Sequence, residues 1–236
     1  MTRKILLQRV AAYCGAALAV MGLQAQSPDV RQKVQFETTS GSFTVALFDD
    51  TPLHRDNFVR LAKAGYYDGL LFHRVIENFV VQTGDPDSRE AKVGQQLGEG
   101  GPGYDIPAEL EGVRHLHYRG AVAAAREPDD VNPERKSSGS QFYVVWGKRC
   151  SAAFLHRAQQ MVKEATGKLP DYTEEESELY WERGGTPYLD TQYTVFGEIV
   201  DGLQVIEEIQ YSETDDYDRP LMDVRILKAT VVEQAD

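Results

Sequence analysis

The chain has 236 residues, 42% of them apolar and 10% aromatic, which suffices for a sizeable core and is too apolar for a disordered tail. Its 25 basic and 37 acidic residues give a formal charge of −12, so it lacks the basic surface that a nucleic-acid partner requires. Of the two cysteines, Cys14 falls in an N-terminal leader, which leaves Cys150 without a partner for an internal disulfide.

In that leader, Arg3, Lys4 and Arg9 precede a mostly apolar run, Val10 to Leu23, which ends in "QAQS" at 24–27. This order reads as a secretory signal peptide, residues 1–25, cut after Ala25, and the run is too short for a membrane span. Its removal takes the basic residues from 25 to 22 against the same 37 acidic ones, a charge of −15. Tyr13 stands where lipoprotein processing wants a small residue, so lipid attachment at Cys14 is not expected. The mature form is expected in a periplasm or the medium, with no stable membrane span. Residues 26–33, polar and containing Pro28, read as a linker to a single domain over 34–233.

Val34 to Thr39 and Ser42 to Phe48 alternate in polarity around Ser40-Gly41, a hairpin signal, and Phe43, Val45 and Leu47 share the core face. Thr51-Pro52 opens a helix with an N-cap residue and a first-turn proline; Gly65 closes it, and Phe58, Leu61 and Ala62 form its buried stripe. Strand signals follow at Leu71 to Ile76, Phe79 to Gln82, Gly120 to Ala125, Ser140 to Gly147, Tyr193 to Val200 and Val224 to Val232, with a short helix at Leu203 to Ile209. About eight strands, two helices and no βαβ alternation predict a mainly β fold, a closed antiparallel barrel capped by two helices. Two stretches break the rhythm. Pro86 to Pro107 is a glycine-rich loop. Residues 151–187 read as a helical insertion, with Leu155, Ala158, Val162 and Ala165 at helical spacing and a capping box at Thr173 to Glu176 ahead of Leu179 and Tyr180.

Motifs for common chemistries are missing. The five histidines show no zinc spacing; His115 and His117 could share a strand face, but loop or surface histidines are the commoner outcome. "SSGSQF" is not a nucleophile elbow, the glycine-rich loop carries no phosphate-binding lysine, and Cys150 has no nucleophile signature around it. What remains is a strand-borne set: Arg74, Phe79, Val80, Gln82, Ala125, Gln141, Tyr143, Tyr188, Leu189 and Tyr193. It holds no acid/base pair, and for Phe79 or Tyr143 taken singly core packing is the plainer account.

"FHRVIENFVVQTGD", "GGPGYDIPAE", "RGAVAAAR", "SSGSQFYVV" and "YTVFGEIVDGLQVIEEI" stand in the order found in cyclophilin-type peptidyl-prolyl isomerases, and the chain resembles that family from about Val34 to Val232, interrupted by the insertion. The resemblance implies an eight-stranded barrel with two helices and a groove outside its wall. It also implies that Arg74 is the main catalytic residue, that Phe79 floors a proline pocket, and that Gln82 binds substrate and orients the arginine. Ala125 and Gln141 match groove-lining positions and Leu189 a pocket-wall position. Val80 stands where methionine is frequent, Tyr143 where phenylalanine is usual, Arg126 where many members have asparagine and Tyr193 where many have histidine. Tyr188 replaces a tryptophan associated with binding cyclosporin A. By strand alternation His73 points away from the groove.

Rotation about an Xaa–Pro bond opposes a barrier of about 18–20 kcal/mol, and no covalent bond to substrate forms. Neither nucleophile nor titrating acid is needed, and no cofactor is expected. The requirements are an apolar pocket for the proline ring and a donor aimed at the imide nitrogen as it pyramidalises, for which a permanently charged arginine is suited. The expected function is isomerisation of proline-containing peptides during folding of exported proteins. The alternative is a proline-binding or chaperone module with little turnover, motivated by the altered rim and the insertion.

Overall fold

The computed structural model describes residues 31–232. The predicted leader and most of the linker lie outside the described residues. Strands β1 (Lys33–Thr38) and β2 (Gly41–Leu47) form the expected hairpin, pairing Lys33 with Ala46 through to Thr38 with Gly41. The Thr38 hydroxyl donates to the Gly41 carbonyl at 2.7 Å and accepts from the Ser40 N–H at 3.1 Å, which ties the turn from inside.

Helix α1 (Pro52–Lys63) buries Phe58, Leu61 and Ala62 as predicted, and also His54 and Val59. Its cap differs from the expectation: the Thr51 side chain makes no cap bond. Instead the Glu109 carboxylate accepts from the Leu53 and His54 N–H groups, at 3.0 Å each, and lies 2.6 Å from His54 Nδ1. A full charge at the helix N-terminus satisfies donors a neutral hydroxyl would have served, and sequence spacing cannot show a partner 55 residues away. Burial would raise the Glu109 carboxyl, but the bonds from His54 and the two N–H groups outweigh it and hold the pKa below the usual range.

The remaining strands are β3 (Arg74–Ile76), β4 (Val80–Thr83), β5 (Asp105–Ile106), β6 (Ala121–Ala124), β7 (Ser137–Ser138), β8 (Phe142–Val145), β9 (Val195–Asp201) and β10 (Ile226–Val232). Eight of the ten form one curled antiparallel sheet in the order β10-β1-β2-β9-β6-β8-β4-β3, while β5 and β7 pair separately. The sheet is an open half-barrel: β10 and β3 are its ends, and no strand ladder joins them. Three backbone bonds cross the gap, from Gly69 to Ile226, Phe72 to Val224 and Ile226 to Leu70, at 2.8–2.9 Å.

Alternation sorts the strand residues into two apolar clusters. Val81, Val122, Ala124, Phe142 and Val144 point inward to join Phe36, Phe43 and Phe58. Their neighbours Val80, Ala121, Ala123, Tyr143 and Val145 point to the outer face and form a second cluster with Val195. Aromatic packing fills the interior: Phe36 stacks on Phe43 at 5.1 Å and Phe58 meets Phe142 edge-on at 5.1 Å. A ligand surface therefore has to lie outside the sheet.

Four helices occur among the described residues. Besides α1, helix α4 (Leu203–Gln210) packs Val205, Ile206 and Ile209 into the inner cluster. The other two, α2 (Ala152–Thr166) and α3 (Glu174–Glu182), make up the insertion. Ser151 accepts from the Phe154 N–H at 3.2 Å to start α2, and Gly167, at φ 75°, ends it. The predicted capping box starts α3, with Thr173 N–H to Glu176 at 2.8 Å and Glu176 N–H to Thr173 at 3.2 Å. Leu155, Ala158 and Val162 are buried as expected, but Ala165 is exposed, because the chain turns away at Gly167.

Candidate active site

Arg74 opens β3 and faces Gln82 across the β3–β4 ladder. Its Nη1 donates to Gln82 Oε1 at 3.2 Å, Gln82 Nε2 donates to Gln141 Oε1 at 3.0 Å, and Gln141 Nε2 donates to the Gly98 and Gly100 carbonyls at 2.8 Å each. The polarity of this relay is forced at both ends. An arginine can only donate and a backbone carbonyl can only accept, so each glutamine amide between them has one permissible orientation. The glycine-rich loop thus holds the guanidinium through two buried or half-buried amides. On its other side, Arg74 Nε lies 3.6 Å from Asp218 Oδ2, an ion pair between half-exposed groups and hence weak. The Arg74 side chain is 41% exposed, which leaves it accessible to a ligand.

Beside it lies the outer apolar cluster. Val80 and Tyr143 are almost fully buried at 2% and 5% exposure, and half-buried Phe79, Ala125, Leu189 and Tyr193 pack against them. Phe79 stacks on Tyr188 at 6.1 Å, and Tyr193 meets Tyr143 edge-on at 6.0 Å. Tyr188 and Leu189 belong to a short 3-10 turn, Pro187–Leu189, that follows the insertion. Arg126 lies over the Tyr193 ring at 4.5 Å, donates to the Gln192 carbonyl at 3.0 Å and pairs with Asp129 at 2.6 Å, so its charge is already satisfied at the rim. A hollow continues from Gln82, Ala125 and Gln141 along the glycine-rich loop to Val131 and Asn132.

His73, next to Arg74, is buried, with neither ring nitrogen hydrogen-bonded. Burial drives its pKa down to about 4, against weaker upward pulls led by Asp85. Because the unfolded chain binds this proton near pH 6.5 and the folded chain does not, the contribution to stability is complete above that pH and is lost as pH falls toward 4. Between pH 7 and pH 4 we expect His73 to remove on the order of 3 kcal/mol. Urea midpoints at the two pH values check this: His73→Leu should show a correspondingly smaller fall, and an equal fall in both proteins would contradict it.

His115 and His117 take separate partners: His115 Nε2 lies 2.7 Å from Asp50, and His117 Nδ1 lies 2.9 Å from Asp190. Spacing did not signal Asp218, Asp190 or the loop carbonyls as parts of the site's surroundings. Cys150 is buried, and burial pushes its thiol up to about 11, which removes thiolate character.

The outward patch unites a charged donor, an amide relay and an aromatic hollow, which suits binding and rearrangement of a chain. The family model for cyclophilin-type peptidyl-prolyl cis-trans isomerases matches residues 33–231. A protein of Staphylococcus aureus (strain USA300), provisionally named a peptidyl-prolyl cis-trans isomerase, is 36% identical over 204 residues, covering 85% of this chain and 92% of its own. One of Staphylococcus epidermidis, named likewise, is 35% identical over 214 residues, covering 89% and 97%. The crystal structure of a Cryptosporidium parvum cyclophilin-type isomerase shares the fold at a TM-score of 0.61 and 20% identity, covering 86% of this chain and 99% of that one. A second structure of it, determined in the presence of the dipeptide Ala-Pro, gives 0.59 and 21%, covering 86% and 100%. The chain belongs to the cyclophilin-type peptidyl-prolyl cis-trans isomerases. It is an isomerase that accelerates rotation about Xaa–Pro bonds.

Proposed function

We propose that Phe79, Val80, Tyr143 and Leu189 form the pocket that holds the substrate proline, and that Arg74 is the catalytic donor. The observation that carries this reading is the relay from Arg74 through Gln82 and Gln141 to the Gly98 and Gly100 carbonyls, which aims a permanent cation at the edge of an apolar hollow. With the ring fixed, only the carbonyl side turns. The imide nitrogen gains a lone pair as amide resonance breaks, and Arg74 donates to it. That nitrogen accepts well only when twisted, so the bond is stronger in the transition state than in the ground state. Gln82 keeps the fork of donors aligned, Ala125 and Gln141 line the path of the chain, and Arg126, Tyr188 and Tyr193 shape the rim.

Proline-containing peptides are the proposed ligands, consistent with the Ala-Pro dipeptide present with the Cryptosporidium relative. We take the clients to be unfolded exported proteins, since residues 1–25 have the order of a cleavable leader. The three bonds between 69–72 and 224–226 are read as closing the barrel's seam. Among the described residues no helix is long and apolar enough to cross a membrane.

Two-dimensional exchange NMR on an Ala-Pro tetrapeptide tests the pocket. The wild type should bring cis–trans exchange onto the sub-second scale, and Phe79→Ala should weaken the effect at least about tenfold by emptying the floor. Unchanged exchange in the variant would move the proline elsewhere. N-terminal sequencing of the protein recovered outside the cytoplasm should read from Gln26; an intact Met1 would refute cleavage.

A further inference from the structure

Besides the edge-on contact of Phe154 with Tyr188 at 6.3 Å, a buried carboxylate ties the insertion to the proline pocket. Asp190 directly follows Leu189 and is 1% exposed. Its Oδ1 accepts from the His117 backbone N–H at 2.8 Å and lies 2.9 Å from His117 Nδ1. Its Oδ2 accepts from the Tyr172 and Tyr180 hydroxyls, at 2.6 Å each. A carboxylate offers about four lone-pair sites, so these four donors fill it. Two of the four come from the insertion: Tyr180 lies in α3 and Tyr172 just ahead of it. Burial first, and Asp190's charge second, push both hydroxyls well above their ordinary range, so both stay protonated as donors.

On the other side of the imidazole, His117 Nε2 lies 3.1 Å from the Tyr143 hydroxyl. The carboxylate can only accept, which places an imidazole proton on Nδ1 and turns Nε2 toward the Tyr143 hydroxyl. Burial holds that hydroxyl protonated as well. A continuous chain therefore runs from the insertion through Asp190 and His117 to an aromatic wall of the pocket.

We propose that Tyr172 and Tyr180 are positioning residues for proline binding: docking of the insertion on Asp190 fixes His117, and His117 fixes the Tyr143 ring. The proposal rests on Tyr143 being a wall of the proline pocket. Without the two hydroxyls, Oδ2 is a buried acceptor with no donor. Asp190 then turns to find one, and the ring it holds loses its anchor.

The test uses the full chain with Tyr172→Phe and Tyr180→Phe, singly and together, each keeping its ring and losing only the hydroxyl. For an Ala-Pro tetrapeptide, the pair should raise KM about three- to tenfold while kcat changes less than about twofold. In a Tyr143→Phe background, which lacks the last link, the same pair should change KM less than about twofold. An equal rise in both backgrounds, or none in the wild-type background, overturns the coupling. Should the pair fail to fold, Tyr172→Phe alone carries the test, with a smaller rise and the same background dependence. Phe79→Ala separates the two ideas: if it leaves KM unchanged the pocket reading is at fault, and if it raises KM while the tyrosine pair does not, only the coupling falls.

Discussion

Arg74→Ala is expected to lower kcat/KM by about 100- to 1000-fold, the loss of about 2.7–4 kcal/mol that follows when one preorganised donor is taken from a site of developing charge. The effect should fall on kcat more than on KM, because the imide nitrogen accepts a bond only in the twisted state. Stability should hardly move. The side chain is 41% exposed, and its contacts are one amide bond to Gln82 and a loose pair with Asp218. Arg74→Lys should recover only part of the rate, since a single ammonium lacks the rigid fork that bonds Gln82 and a substrate together. Protease-free exchange measurements together with thermal melts check both halves of this expectation. A loss below about tenfold would show that the pocket alone performs most of the work.

Gly84→Ala should cost about 3–5 kcal/mol of stability and, in the protein that remains folded, slow isomerisation between about 5- and 100-fold. Gly84 follows β4 with φ at 97°, a conformation unfavourable for any residue with a Cβ. An added Cβ would sit 2.2 Å from the Ser140 carbonyl and 2.7 Å from Gln141 Cα, so the backbone before β8 must move. That backbone carries the middle member of the relay that aims Arg74. Gly94→Ala is the control: φ is also positive, at 74°, but nothing lies within 4 Å, so only the conformational cost of about 1–2 kcal/mol should appear. Denaturant midpoints and kcat/KM for both variants decide the matter, and equal costs for the two would remove the argument from steric contact.

The order of strands and helices was legible because it rests on local signals. Alternation in "SFTVALF" gives β2 and its inward Phe43, Val45 and Leu47, and the capping box at Thr173 gives the start of α3. The motif "FHRVIENFVVQ" made Arg74, Phe79 and Gln82 candidates, and the structure sets Arg74 opposite Gln82 across one ladder, with His73 buried and Arg74 half-exposed. What the sequence could not yield depends on residues far apart in the chain. Glu109 caps α1 from 55 residues away, where Thr51 was expected to serve. Arg126, a rim candidate, has its charge absorbed by Asp129 and the Tyr193 ring. The sheet's ends are bridged by backbone bonds around Phe72 and Val224, which leave no trace in side-chain pattern. Asp190 belongs to no motif, yet it gathers donors from His117, Tyr172 and Tyr180. Sequence by itself determined most of the elements and their faces, because period, capping and turn residues act over a few positions. Only the tertiary structure decided how Arg74 is held and what anchors Tyr143, because a buried polar group must find its partners wherever the folded chain brings them.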